Sequence, residues 1–423
     1  MKHALLVGGA TGREHAIAKH FSKNGNYKFS AILWAEHKFI KELCSGEYAV
    51  INLDEVEKVF DKIVEISPDY VIIGQGEVIQ RGLKDMLIKA NIPCIAPTKE
   101  AAIIEGSKTY LRNLLQKIAP ELNPKFRDFY KYSNEIDEFI DSFDNKVVVK
   151  CDGVISGPRV RLYDLPAERN DAIQNAKNWI DKHGHIVIEE YIQGYEVAIM
   201  SYTDGTYLVH TPPFKNHKRI GNGNVGENTS GMGTITCNFS FMTDVAIEKA
   251  HKITQMVLDE CNKLSDDVFT GSLYGEFLVD GDNIKVIEYN CRFGNPSSLN
   301  ILALMNIDFP ELCEKILSKK VNEIQELCDT TKVSLSAYAV PKDYTINKNY
   351  VGGEINFDDV NKDLLYVGNI RYADGKYFLK NSRAFAICAT AETLDEARKI
   401  VYGEMEKVKG DIYYRTDIGL WEV

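Results

Sequence analysis

Residues 273–290, LYGEFLVDGDNIKVIEYN, hold the reading on which the fold turns. Two apolar runs flank a turn near Gly281, and Ile284, Val286 and Ile287 suit the interior of a sheet. Glu288 and Asn290 end the second run. Being two apart they share one face, and Arg292 follows at once. A hairpin closed near Gly281 would set Glu276 beside Glu288 and Asn290. Three hard oxygen donors together are what magnesium takes when it also carries nucleotide phosphates. Arg292 could then neutralise a phosphoryl group in transfer. The plainer alternative is a surface hairpin with unrelated acids, but acids rarely end so apolar a strand without a partner.

The composition bounds what surrounds this hairpin. A chain of 423 residues predicts two to four packed units. Apolar residues at 44% and charged residues at 26% are ordinary for a globular protein. A net charge of −11 argues against a general binder of nucleic acid or anionic membrane, both of which want a basic surface. It leaves room for local basic pockets that hold phosphate. No apolar stretch is long enough for a bilayer, and the N-terminus MKHALLVGGATGREH lacks a signal-peptide cleavage region. The nine cysteines show neither CxxC pairs nor zinc spacing, which fits free thiols in a reducing cytosol. A cytoplasmic location is expected.

Along the chain, residues 1–98 alternate strand and helix signals, which predicts a Rossmann-like parallel sheet with crossover helices. Pro97-Thr98-Lys99 marks a boundary. The stretch KEAAIIEGSKTYLRNLLQKI (99–118) reads as one helix spanning two packing environments. Hairpins and helices then mix in an α+β pattern, with a flexible small subdomain at about 122–193. Residues 214–234, rich in glycine and asparagine, read as too irregular for regular structure. A long helix is expected from about Val245 to Leu264. The expected division is 1–98, 99–328 and a C-terminal α+β lobe at 329–423.

Three more constellations suit a phosphate-bearing ligand. Gly8-Gly9-Ala10-Thr11-Gly12-Arg13-Glu14 joins a strand to a helix, either as a phosphate cradle at a helix N-terminus or as a plain tight turn. Ala10 breaks the dinucleotide pattern, which discounts NAD and a dehydrogenase. Lys150 ends the apolar run VVVK beside Gly153 and Gly157, placed to hold phosphate or simply leaving a strand for solvent. In IVIEEYIQGYE (186–196), Glu189, Glu190 and Glu196 suit purine and ribose recognition or a solvated edge.

These pieces in this order resemble the ATP-grasp ligases. The resemblance sharpens at His217-Lys218-Arg219, Asn228-Thr229, Gly231-Met232-Gly233, Glu105-Gly106-Ser107-Lys108, Cys291-Arg292-Phe293-Gly294, Arg415 and Asp417-Ile418-Gly419. With Gly12-Arg13-Glu14-His15 they are similar to the phosphoribosylamine–glycine ligase family, from the first strand to the last residues. The resemblance implies ATP and magnesium (manganese as the substitute), small-molecule substrates, and a monomer or weak homodimer. It implies nucleotide contacts at Lys108, Lys150, Ser156, Gly157, Glu189, Glu190, Tyr191, Ile192 and Glu196. Metal ligands would be Glu276, Glu288 and Asn290. The phosphoribosyl substrate would meet Gly12, Arg13, Glu14, His217, Lys218, Asn228, Thr229, Gly231 and Asn295. Arg292, Lys150 and Arg219 would serve the transfer itself.

Four departures from the family pattern bear on specificity. The family's AAGKGV covering loop reads Ile155-Ser156-Gly157-Pro158-Arg159-Val160, with only Arg159 or Arg161 to replace its lysine. GDPE becomes Gly294-Asn295-Pro296-Ser297, removing two carboxylates suited to an amine. GPEAPL becomes Gly74-Gln75-Gly76-Glu77-Val78-Ile79, and GGRV becomes Asn381-Ser382-Arg383-Ala384. In the other direction, Glu276 restores the two-acid pattern of ATP-grasp enzymes at large. A glycine ligase, a relative joining another carboxylate and amine, and a non-catalytic nucleotide binder therefore stand as alternatives. Paired metal ligands argue against the last. The absence of a linker after Val423 leads to the expectation of a stand-alone ligase.

Overall fold

The computed structural model describes residues 1–153, 160–344 and 351–420. Ser156 and Gly157, with their neighbours Ile155, Pro158 and Arg159, lie outside the described residues. The N-terminal segment is a five-stranded parallel sheet in the order Tyr48–Val50, Tyr27–Leu33, Lys2–Gly8, Tyr70–Ile73, Cys94–Ile95. Its central strands are apolar runs buried along nearly their whole length, as helices on both faces require.

A four-stranded antiparallel sheet (Phe126–Phe129, Ile186–Glu190, Val147–Cys151, Val160–Tyr163) forms a separate small unit. The helices Asn134–Asp141 and Arg169–His183 cover it around their own core of Ile136, Ile140, Val149, Trp179 and Ile188. A ten-stranded sheet and a three-stranded one (Val351–Ile355, Lys376–Lys380, Arg371–Ala373) make up the rest. From its edge the larger runs Asn283–Asn290, Gly271–Asp280, Tyr195–Thr203, Phe214–Gly221, Val225–Thr236, Val333–Pro341, Phe385–Ala391, Leu365–Val367, with Leu208–His210 paired to Tyr195–Thr203 and Ile412–Tyr414 to Val333–Pro341 off that path. The sheet therefore passes without a break into the C-terminal segment. The helix Asp244–Cys261, capped by the Thr243 hydroxyl, packs its Ile253 and Val257 face under the strand Gly271–Asp280.

Two histidines tie the C-terminal segment to the N-terminal one. His37 accepts from Ile40 N through Nδ1, so its Nε2–H donates to Val367 O (3.0 Å), while His15 Nδ1 accepts from Val367 N (2.9 Å). Both amide groups of Val367 are thereby satisfied across the junction.

Two expectations about local structure fail. Residues 99–118 form two helices, Ile103–Gly106 and Lys108–Ile118. Ser107 between them is extended and accepts from Tyr110 N, so its competing hydroxyl starts a new helix at Lys108. Residues 214–236 are regular after all, being the antiparallel strands Phe214–Gly221 and Val225–Thr236. Their glycines and asparagines serve the tight connection and the register shifts at Arg219, where a polar strand still finds a ladder.

Candidate active site between two sheets

The hairpin of the opening stretch forms as the sequence requires. Gly281 takes a left-handed φ of 59° in the turn, Glu276 pairs directly with Glu288, and Tyr274 pairs with Asn290. An extra residue after Glu276, Ile287 on the facing strand, lets Glu288 and Asn290 keep the face of Glu276. Each acid is held by a lysine. Lys108 Nζ lies 3.0 Å from Glu288 Oε2, and Lys218 Nζ lies 2.7 Å from Glu276 Oε2 while also pairing with Glu196. Arg292 donates through Nε to Glu105 (3.2 Å) and through Nη2 to Asn290 Oδ1 (3.3 Å).

Beside them lies a more deeply buried cluster. Glu189 receives Lys150 at 2.7 Å on Oε2 and Arg112 Nε at 2.8 Å on Oε1. Arg112 also donates to the carbonyls of Val286 and Ile287 at the base of the hairpin. Lys108, Arg112, Lys150, Glu189, Glu288, Asn290 and Arg292 line one cavity of about 220 Å³ between the small unit and the large sheet. Asp152, at the end of the small unit's strand, closes the arrangement. Its carboxylate accepts from Lys108 N, Thr109 N and the Ser107 hydroxyl, holding the start of the helix that carries Lys108.

The electrostatics separate the two hairpin acids. Burial pushes both carboxyls up. At Glu276 burial wins, with Glu288 and Glu196 adding negative charge against Lys218, so the group titrates above the usual range. At Glu288 the ammonium groups of Lys108, Lys218 and Lys150 outweigh burial and hold it well below that range. Burial brings Lys150 down to about 8, against the pull of Glu189. Glu189 itself is desolvated, yet Arg112 and Lys150 keep it low and ionised.

The site fits a hard divalent cation. Glu276 and Glu288 face each other with cationic groups already on their oxygens, and the third donor on that face is an amide oxygen. The donors on this face are carboxylate and amide oxygens, the ligands hard cations prefer.

The structure gives the other candidate residues these surroundings. Glu189 lines the cavity and is held there by two cations, Arg112 and Lys150. Glu190 points the other way and accepts from Lys125 N at 2.8 Å, with Tyr191 and Ile192 half-buried after it. Lys150 does not emerge into solvent; it is buried. Glu14 is fully buried and forms an ion pair with Arg13, and a Cβ on Gly8 would come within 2.7 Å of its carboxylate. Glu14 thus anchors Arg13. Lys218 joins the hairpin acids. Arg219 does not join Arg292 and Lys150: its guanidinium donates to Gly226 O within its own hairpin, opposite the exposed Asn228. Thr229 bonds the Lys218 carbonyl and the Gly231 amide, His217 is buried, and Asn295 accepts from Tyr338 Oη at 2.8 Å. Gly12 starts the first helix against Tyr338.

Sequence reasoning missed Arg112 and Asp152. Arg112 was within reach, since Lys108 and Arg112 stand four apart on one helix and so share a face. Asp152 had no local signal: its partners lie more than forty positions away.

A cavity between a small antiparallel unit and a larger sheet, lined by cations and acids, is the architecture of the ATP-grasp ligases. The phosphoribosylglycinamide synthetase N domain matches residues 3–105, the ATP-grasp (A) domain 106–298 and the C domain 330–421. The chain belongs to the phosphoribosylglycinamide synthetase family. Phosphoribosylamine–glycine ligase of Methanococcus maripaludis (strain S2) is 33% identical over 99% of this chain and 96% of its own length. That of Methanocaldococcus jannaschii is 31% identical over 100% and 97%. The crystal structure of phosphoribosylamine–glycine ligase from Thermotoga maritima superposes with a TM-score of 0.80 at 24% identity, covering 98% of this chain and 99% of that one. No helix among the described residues is long and apolar enough to cross a membrane.

Proposed function

We propose that the chain joins glycine to 5-phosphoribosylamine at the expense of ATP, yielding glycinamide ribonucleotide, ADP and phosphate, as a cytoplasmic enzyme acting alone or as a weak homodimer. The observation that carries this reading is the apposition of Glu276 to Glu288, which lines one cavity with Lys108, Lys150 and Arg292. The γ-phosphoryl of ATP passes to the glycine carboxylate, forming an acyl phosphate and releasing ADP. The amine then attacks that carbonyl and phosphate leaves. Lys108 and Lys150 bind and orient the nucleotide phosphates, and Arg292 balances the charge of the phosphoryl in flight. Glu276, Glu288 and Asn290 would hold magnesium, with manganese as a substitute, which supplies charge neutralisation on the phosphates. Arg13 and the hairpin from His217 to Gly231 border the amine side. The small unit covers the cavity and keeps water from the acyl phosphate.

An assay of ADP release tests this directly. Phosphoribosylamine is generated in place with glycine, and other amino acids and amines run in parallel. ADP that requires both partners supports the reading, and silence with every pair defeats it. A second outcome, turnover with another pair alone, has an observation in its favour. Asn295 and Ser297 are neutral where the family carries acids, and the buried Ser297 hydroxyl has no partner among the described residues.

Lys150 sets a pH dependence. Its folded value of about 8 lies below the ordinary 10.5, so the folded protein sheds this proton first as pH rises. Because the folded state binds fewer protons than the unfolded chain between about 8 and 10.5, that window brings a gain in stability and not a loss. Phosphate binding needs the ammonium. The kcat/KM for ATP is therefore expected to fall above pH 8, and Lys150→Arg should move that limb upward. A flat profile to pH 10 would count against Lys150 as a phosphate ligand.

A further inference from the structure

Arg415 and Asp417-Ile418-Gly419 do not line the cavity, and the structure gives them another place. The strand Val225–Thr236 pairs with Val333–Pro341 only from Gly233 to Thr236, where Gly233 faces Ala337. Two residues further along that edge, Ala339 faces Tyr414 of the strand Ile412–Tyr414, which runs straight into Arg415. Arg415 therefore stands in the fork where the hairpin 214–236 leaves the sheet. On its other side the hairpin meets Tyr195–Thr203 through one pair, Ala198 with Phe214. Its outer half, from Lys218 to Gly231, has no further strand beside it among the described residues.

Residues 415–417 hold this outer half. The buried Arg415 gives Nε and Nη2 to the two carboxylate oxygens of Asp417, each at 2.8 Å, and Nη1 to Arg219 O at 3.1 Å. Asp417 Oδ2 also accepts from Gly223 N at 2.8 Å. Between them Thr416 N donates to Asn222 Oδ1 (2.9 Å), and the Asn222 amide returns a bond to Thr416 Oγ1 (2.8 Å). Among the described residues, these three supply every hydrogen bond that reaches 219–226 from outside the hairpin. Burial opposes the charge of Asp417, but Arg415 and the Gly223 amide keep its carboxyl below the usual range. The run is itself anchored. Arg398, on the helix Leu394–Met405, donates to the carbonyls of Thr416 and Ile418, and a Cβ on Gly233 would collide with Ile418. Gly231-Met232-Gly233 and Asp417-Ile418-Gly419 thus meet at the root of the hairpin.

We propose that Arg415 and Asp417 are positioning residues for the amine substrate: with Thr416 they clasp the tip of the hairpin and so hold Lys218, Asn228 and Thr229 where they meet it. This rests on the reading that the hairpin borders the amine side. A two-stranded hairpin with no sheet beside it is marginal on its own, and this one is exposed from Asn222 to Asn228. Arg219 pairs with Asn228 in the ladder, so bonds at Arg219 O, Asn222 and Gly223 N fix both strands at once. The bidentate Arg415–Asp417 pair gives the clasp a geometry that a lysine would not. Both residues act through the hairpin and touch no substrate.

The test uses the full chain. Hydrogen exchange is followed over residues 219–228 in the wild type, Asp417→Asn and Asn222→Ala. Initial rates of ADP release are measured beside it with glycine, magnesium and phosphoribosylamine generated in place. Asparagine at 417 removes the charge that Arg415 and the Gly223 amide share, so exchange of the tip should quicken on the order of 10–100-fold. Asn222→Ala removes two neutral bonds at an exposed position, and about fivefold is expected with the melting temperature unchanged. In both variants the KM for the sugar amine should rise in step with the exchange, while those for ATP and glycine stay within about twofold. A pair that merely stabilises the fold would lower the melting temperature and move all three constants together or none, and that result overturns the proposal. If Asp417→Asn fails to fold, as judged by lost ADP binding, Asn222→Ala decides. Unchanged exchange of the tip in the folded variants overturns the proposal, as does faster exchange with an unaltered KM for the amine. Turnover of the wild type with another amine alone overturns the phosphoribosylamine reading, and a rise in that amine's KM in the variants still supports the clasp.

Discussion

Glu288→Gln is expected to lower kcat on the order of 10²–10³, the usual cost of removing one charged or polar group that stabilises a transferring centre. The reasoning begins with ionisation. Burial opposes a charge on Glu288, but Lys108, Lys218 and Lys150 hold it as a carboxylate well below the usual range. Its partner in the ladder, Glu276, is the acid that burial pushes up. Of the two facing acids, Glu288 is therefore the fixed negative charge, and Glu276 the one whose charge burial and its acidic neighbours oppose. Glutamine keeps the shape and one oxygen while removing that charge, so a divalent cation loses its principal attraction. The magnesium concentration for half-maximal rate should rise with the fall in kcat. Lys108, which pairs with Glu288 at 3.0 Å, is left without its carboxylate, and thermal unfolding will report that structural cost separately. Kinetics over a magnesium titration decide the matter. A variant within threefold of the wild type, with unaltered magnesium dependence, would remove Glu288 from the metal site.

The legibility of this fold followed from how local each signal was. The hairpin 273–290 could be read because a glycine turn and period-two alternation fix a register within eighteen residues. The N-terminal α/β sheet was legible for the same reason. What was not legible depended on contacts distant in sequence. A reading of Glu189 as a nucleotide contact does not reveal its cations, because the helix Lys108–Ile118 brings Arg112 against it from 77 positions away. Nor does anything local reveal that Gly8 and Gly74 leave room for the buried side chain of Glu14. The glycine- and asparagine-rich hairpin 214–236 defeated propensity outright. Its strands are held by their neighbours in a ten-stranded sheet, where pairing outweighs poor intrinsic preference.

The buried cations give the largest expected effect on stability. Glu189→Gln should cost about 3–5 kcal/mol at pH 7, the range for breaking a buried ion pair by removing one partner. Glutamine is nearly isosteric, so no cavity is created and the loss is electrostatic. Glu189 is the carboxylate on which both Arg112 and Lys150 converge, and all three side chains are nearly excluded from solvent. Arg112 keeps its carbonyl acceptors on the hairpin, whereas Lys150 loses the opposite charge that resists the effect of burial. The value for Lys150 should then fall below about 8. The sign of the pH dependence follows. Between the new value and 8 the folded variant sheds a proton that the folded wild type keeps, so the deficit narrows as pH rises through that window and is constant above it. Nucleotide phosphates would meet the same two cations, so ATP should restore part of the lost stability. Denaturant unfolding of both proteins at pH 6, 7 and 9, with and without ATP, measures all three effects. A deficit under 1 kcal/mol at pH 7, or one that widens toward pH 9, would mean that Glu189 does not hold these cations in place.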